Sequence, residues 1–226
     1  MTPSSDEKAA APGKVRVWDL PTRLFHWALV VLIPYAWWTA THDQLERHRL
    51  VGYTLLGLLL FRLIWGFIGS GPSRFASFVR GPRAVLRYVR GKSGPDVAGH
   101  NPLGGWSVVA MLLAIGSQIT LGLFAVDEDG LESGPLSDRL DFDTSRAMAL
   151  IHHKLFWGII ALILLHIGAI IFYRLRGRRL TVAMVTGRTR PEAEAEAPAM
   201  APWWRVLPAA AIAAAIAWFV ASGLRF

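Results

Sequence analysis

Apolar residues gather into five long blocks, at 24–40, 50–68, 106–126, 150–173 and 203–224, separated by polar loops. Each is close to the roughly 20 residues that a helix needs to cross the hydrocarbon core of a bilayer. The pattern therefore predicts five membrane-spanning helices. Pro21 is well placed to start the first of them earlier, and Pro34 inside it predicts a kink. The fifth block is rich in alanine and carries Pro208. Between the second and third blocks, residues 75–90 read either as a short amphipathic helix lying on the membrane face or as a solvated basic loop. In the first reading Phe75, Phe78, Val79, Leu86 and Tyr88 face lipid. The stretch 1–14 is polar and rich in Ala and Pro, without the apolar core of a signal peptide, and reads as a loose lead-in. The stretch 191–202 reads as a flexible linker before the last helix. The expected division is a main membrane unit over 15–190 and an additional helix over 203–226.

Composition supports a membrane protein. Hydrophobic residues are 53% of the 226, and many of the ten tryptophans flank the apolar blocks, where amphipathic rings favour the lipid–water boundary. Mean hydropathy is +0.37. The net charge of +8 does not indicate a nucleic-acid partner, because the basic residues sit in loops beside apolar spans and not on one soluble face. No cysteine is present, which excludes disulfides, iron–sulfur clusters, thiolate chemistry and covalent c-type haem attachment.

The loops predict an orientation. Arg74, Arg80, Arg83, Arg87, Arg90 and Lys92 lie between spans two and three, and Arg174, Arg176, Arg178, Arg179, Arg188 and Arg190 between spans four and five. The loop between spans three and four is acidic, with Asp127, Glu128, Asp129, Glu132, Asp138, Asp141 and Asp143. The positive-inside rule then places the N-terminus in the cytoplasm and the C-terminus outside.

Histidines are the polar residues that the apolar blocks least explain. His152 and His166 share the fourth span. Fourteen residues bring their side chains to within about 40° of one helix face, about 21 Å apart along the axis. His26 and His48 stand at the ends of the first and second spans. Intramembrane polar side chains mark functional sites by default. Matching depth pairs His26 with His166 and His48 with His152. Two imidazole pairs stacked across a bundle are what two bis-histidine b-type haems require. His153 competes with His152 but lies about 140° from His166 around the helix, which suits stacking poorly. His42 reads as a solvated loop residue. His100 reads as part of a helix-entry turn, with a place near a haem propionate or quinone head group as the lesser option. Gly52 and Gly158 would let a flat macrocycle approach the backbone, or serve ordinary helix packing. Arg62 lies on the His48 face and needs a partner: a propionate of the inner haem, or the head groups by snorkelling.

These residues resemble the bacterial cytochrome b-561 and nickel–iron hydrogenase b-type cytochrome group. The matching pieces are Val17-Trp18-Asp19-Leu20-Pro21-Thr22-Arg23-Leu24-Phe25-His26-Trp27 and His48 with Gly52 and Tyr53. Phe61-Arg62-Leu63-Ile64-Trp65-Gly66-Phe67, Phe78-Val79-Arg80-Gly81-Pro82, the His100 segment, and His152 followed by His166 complete them. The likeness covers roughly 15–190. It implies an all-α integral membrane protein, a four-helix bundle binding two haems b, with the fifth helix outside the shared core. It implies His26, His48, His152 and His166 as axial ligands, and electron transfer between a quinone pool and a redox partner, either a periplasmic cytochrome c or a dehydrogenase subunit. His153 departs from relatives that carry an acidic or other polar residue there. A bacterial inner-membrane location follows, and a homodimer is compatible with a bundle this small. The rival readings are a membrane anchor whose haem is structural, and a haem-free transporter in which histidines relay protons. A quinol-linked reductase would need an acceptor site for which no separate motif is present.

Overall fold

The computed structural model describes residues 15–91, 101–189 and 198–225. Five helices are long and apolar enough to cross a membrane, so the chain is an all-α integral membrane protein. They are α1 (Leu20–Thr41), α2 (Leu45–Ile68), α5 (Pro102–Phe124), α6 (Phe142–Leu175), and α8 (Val206–Ala221) with the single 3-10 turn before it. Short helices α3 (Phe75–Phe78), α4 (Pro82–Val89) and α7 (Leu180–Thr186) lie between them.

Helix starts follow the capping chemistry of the sequence. Asp19 accepts the amide of Thr22 at the head of α1, where Pro21 fills the first turn. Asn101 accepts Gly104 N at 2.7 Å ahead of Pro102 in α5. Asp141 accepts Thr144 N at 2.9 Å and starts α6 eight residues before its apolar block begins. Each cap satisfies an otherwise orphaned amide and fixes where the helix begins.

Close backbone packing joins α1 to α2, α2 to α5 and α8, and α5 to α6, with hardly any between α6 and either α1 or α2. Phe25, Val51, Leu55, Leu59, Leu112, Ile115 and Ile119 form the main core, contributed by α1, α2 and α5. The fifth span is not loosely appended. Ala209, Ala213 and Ala217, one turn apart, are buried, and a Cβ at Gly57 of α2 would stand 3.6 Å from that of Ala217. Such small-residue contact suits helices that meet in lipid, where close van der Waals packing replaces the hydrophobic drive.

The membrane unit is closed at one end by a clasp. Val15–Arg16 pairs antiparallel with Arg188–Thr189. The amides of Val17 and Trp18 donate to Gly187 O at 2.8 and 3.1 Å, and Arg23 donates to the carbonyls of Met184 and Val185. The described end of the 191–202 stretch is also held, since Gly71 N donates to Ala199 O and Ala201 N to Ser70 Oγ.

The segment 75–90 forms two helices and not one, broken over residues 79–81. One expected lipid contact is corrected: Phe78 is 3% exposed and packs inward, because Gly105 of α5 has no side chain to hold it off. A Cβ there would meet Phe78 O at 2.5 Å. Leu86 does stay exposed. The 1–14 lead-in, His100, and residues 191–197 of the linker lie outside the described residues.

Candidate functional site

Four histidines from three helices meet in two pairs. His48 of α2 and His152 of α6 have ring centroids 6.0 Å apart with planes at 85°. His26 of α1 and His166 of α6 have centroids 6.4 Å apart with planes at 53°. These are the partners expected from depth.

Neighbouring helices hold the rings of the first pair. His48 Nδ1 lies 2.8 Å from Ala36 O of α1, and His152 Nδ1 lies 2.8 Å from Gln118 O of α5. A carbonyl can only accept, so both Nδ1 atoms carry the proton. Each Nε2 is left as a lone-pair donor of electrons, the tautomer that metal-binding imidazoles adopt when their other nitrogen is so engaged. In the second pair His26 Nδ1 is buried without a hydrogen-bond partner among the described residues.

The pairs have the spacing of two axial ligands on one metal. A metal–imidazole bond is about 2 Å and the ring centre lies about 1 Å beyond the nitrogen, so opposed ligands have centroids about 6 Å apart. Among the described residues, no group of three or more His, Cys, Asp and Glu could hold a bare metal ion. A metal between two imidazoles would then take its remaining ligands from a macrocycle, as haem iron does. Open space lies one turn after His48, where a Cβ at Gly52 would meet nothing within 4 Å. Gly158, by contrast, has only Leu155 of its own helix nearby. The residues fit haem.

His153, exposed beside His152, forms no ring pair with another span among the described residues. His42 ends α1, with its Nδ1 2.9 Å from Trp38 O and its ring stacked on Trp38 at 4.7 Å. Arg62 does not snorkel. It is 3% exposed, its guanidinium lies 5.1 Å from the Phe75 ring centre and 5.9 Å from that of Phe78, and its Nη1 has no hydrogen-bond partner among the described residues. A desolvated cation in this state calls for an anion, and among the described residues the Asp19 carboxylate acts on it electrostatically.

Sequence reasoning missed several supports. Gly122 of α5 faces His152, and a Cβ there would stand 2.9 Å from His152 Cε1. Nothing in the sequence distinguishes it from other helix glycines. Asp19 organises the base of the site: Trp65 Nε1 donates to Oδ2 at 2.9 Å, Ser73 Oγ at 3.1 Å, and Thr22 Oγ1 lies 2.8 Å from Ser73 Oγ. Since the serine proton goes to Asp19, Thr22 is the donor to Ser73. Burial pushes the Asp19 carboxyl up, but the hydroxyl, amide and indole donors, Thr22 and Trp65 among them, outweigh it and hold the group below its usual value. The acid standing directly before Leu20-Pro21 was a legible cap signal; its link to Trp65 was not.

Known proteins bear on the same region. The family described as prokaryotic cytochrome b561 matches residues 17–187, which takes in α1 to α7 and leaves α8 outside. A protein of Azotobacter chroococcum mcd 1, named a probable Ni/Fe-hydrogenase B-type cytochrome subunit, is 25% identical over 201 residues, covering 74% of this chain and 84% of that protein. No solved structure matches.

Proposed function

Because the chain belongs to the prokaryotic cytochrome b561 family, a family of b-type cytochromes that carry electrons in membranes, we propose that it is a dihaem member passing electrons between a quinone pool and a redox protein. The observation that carries this reading is the pair of imidazole spacings, 6.0 and 6.4 Å, joining α6 to α2 and to α1.

In this account His48 and His152 hold one haem b, and His26 and His166 the other. Haem bound in this way supplies a one-electron couple. Two protein ligands per iron would leave no open position, which favours electron transfer over oxygen chemistry. The protein's part is to orient and insulate. Ala36 O and Gln118 O fix the rings of one pair, and the hydrogen-bonded Nδ1 makes each imidazole a stronger electron donor. Arg62 supplies the buried positive charge that a propionate would neutralise. The apolar core of α1, α2 and α5 keeps water from the site.

By the positive-inside rule the arginine-rich loops favour a cytoplasmic Asp19 end, with the His26–His166 pair as the inner one. The acidic 127–143 loop then faces the periplasm of a bacterial inner membrane, where it can steer a basic redox partner. The Azotobacter relative's name points to a hydrogenase as one such partner; a periplasmic cytochrome c is the other class.

Absorption spectra of the purified full chain test the proposal. Expected are b-type bands that sharpen on reduction and appear within seconds of adding a quinol analogue. A colourless protein would leave the haem-free relay. Coloured protein that quinol fails to reduce would leave the structural anchor.

A further inference from the structure

Thr39, in the last turn of α1, is fully buried at 0% exposure. Its hydroxyl donates to Ala36 O at 2.8 Å, and the same carbonyl takes His48 Nδ1, also at 2.8 Å. We propose that Thr39 is a positioning residue for His48: by taking a share of the acceptor that holds the imidazole, its hydroxyl raises the reduction potential of the His48–His152 haem. This inference rests on the dihaem reading above.

The local sequence brings the three groups together. Helix α1 ends at Thr41 and α2 begins at Leu45. Between them Asp43 takes the left-handed conformation (φ +54°), which a short polar side chain tolerates. Gln44 N then donates to Thr39 O at 2.9 Å and His48 N to Gln44 O at 2.9 Å. This tight reversal sets His48, in the first turn of α2, against the last turns of α1. A threonine that bonds back to its own helix is ordinary. Thr54 and Thr120 do so to Leu50 O and Gly116 O, on exposed faces. Thr39 differs in its burial and in the imidazole that reaches the same oxygen.

Two donors on one carbonyl compete for its lone pairs. The bond from Nδ1 to a carbonyl makes an imidazole a stronger electron donor through Nε2, which favours the oxidised state of a bound iron. A hydroxyl on that carbonyl draws off part of this effect and so favours the reduced state. The site is buried, and a low dielectric enlarges such differences. The opposite ligand lacks the hydroxyl. His152 Nδ1 lies 2.8 Å from Gln118 O, and the residues three and four places after Gln118 are Leu121 and Gly122. The two imidazoles of one pair are therefore held unequally, His152 by the stronger acceptor.

Potentiometric titration of the purified full chain, followed by visible spectra, tests this with Thr39→Val, Thr39→Ser and Thr120→Val. Valine keeps the shape of threonine and removes the hydroxyl. At a fixed poise, the oxidised-to-reduced ratio of the component that His48→Ala removes should rise about three-fold in Thr39→Val, which is a fall of about 30 mV at 59 mV per ten-fold. Thr39→Ser should restore the original ratio. Thr120→Val, two residues from Gln118 on an exposed face, should change nothing. The His26–His166 component should stay fixed throughout. The electron paramagnetic resonance signal of the oxidised His48–His152 haem should shift in Thr39→Val and return in Thr39→Ser. An unchanged ratio in haem-replete Thr39→Val, a serine variant that fails to restore it, or loss of the haem in Thr39→Val would overturn this inference and leave the dihaem reading standing. Intact chain without haem would overturn both.

Discussion

His48 and His152 face one another from different helices with their ring centroids 6.0 Å apart, and each is held at Nδ1 by a carbonyl of a third or fourth helix, Ala36 O and Gln118 O, at 2.8 Å. The pair therefore depends on four spans, and either ring should be indispensable to the same haem. His48→Ala and His152→Ala should each reduce haem from two to one per chain and remove the same spectral component. His153→Ala should leave both haems. Loss of haem in the His153 variant, with retention in His152→Ala, would reverse the assignment of the adjacent pair.

Gly122 is predicted to be the glycine of α5 on which haem binding depends most directly. A Cβ would stand 2.9 Å from His152 Cε1, closer than the ring can accept without moving. Gly122→Ala should shift or broaden the absorption of one haem, and Gly122→Leu should eject it. Gly158→Ala, where a Cβ would meet only Leu155 at 3.8 Å, should be silent in the same spectra.

Arg62 is predicted to raise the reduction potential of the haem on its side. A buried positive charge stabilises the reduced state, which carries one positive charge fewer. Arg62→Gln should lower that potential by on the order of tens of millivolts at an effective dielectric near 20. Arg62→Lys should restore most of it. Potentiometric titration followed by visible spectra separates the two haems, and equal potentials in wild type and Arg62→Gln would exclude the role.

The large features were legible for a physical reason. Crossing a bilayer demands long apolar runs, so the spans stand out, and α1 begins where Pro21 indicated. An imidazole in such a run has few bland explanations, so His26, His48, His152 and His166 could be paired by depth and helical phase alone. What escaped depends on contacts between distant segments. The carbonyls that fix the rings belong to Ala36 and Gln118, and any residue type supplies a carbonyl. Gly122 matters only through the angle at which α5 meets α6. The early start of α6 escaped because Asp141 caps a polar turn that lies ahead of the apolar block. The inward turn of Phe78 was hidden because Gly105, sequence-distant, makes the room.

Asp19 should confer an acid-dependent stability. Burial pushes its carboxyl up, but the Ser70 and Thr22 hydroxyls, the Thr22 amide and the Trp65 indole favour the ionised form and hold it below the ordinary value of 3.8. A depressed folded value means that the contribution is complete at pH values above the unfolded one and disappears as pH falls through the folded one. Thermal melts should be flat in this contribution from pH 7 down to about 5 and decline below 4. Asp19→Ala leaves the Trp65 indole N–H and the Ser73 hydroxyl without their acceptor and should cost about 1–3 kcal/mol at neutral pH. It should also abolish this part of the acid decline.

Haem counted per polypeptide bears most directly on the central claim. A pyridine haemochrome assay on the purified chain, set against amino-acid analysis, should give two haems b, falling to one in His166→Ala with the His48–His152 component unchanged. Fewer than two haems in the intact chain, or two still present in His166→Ala, would contradict it.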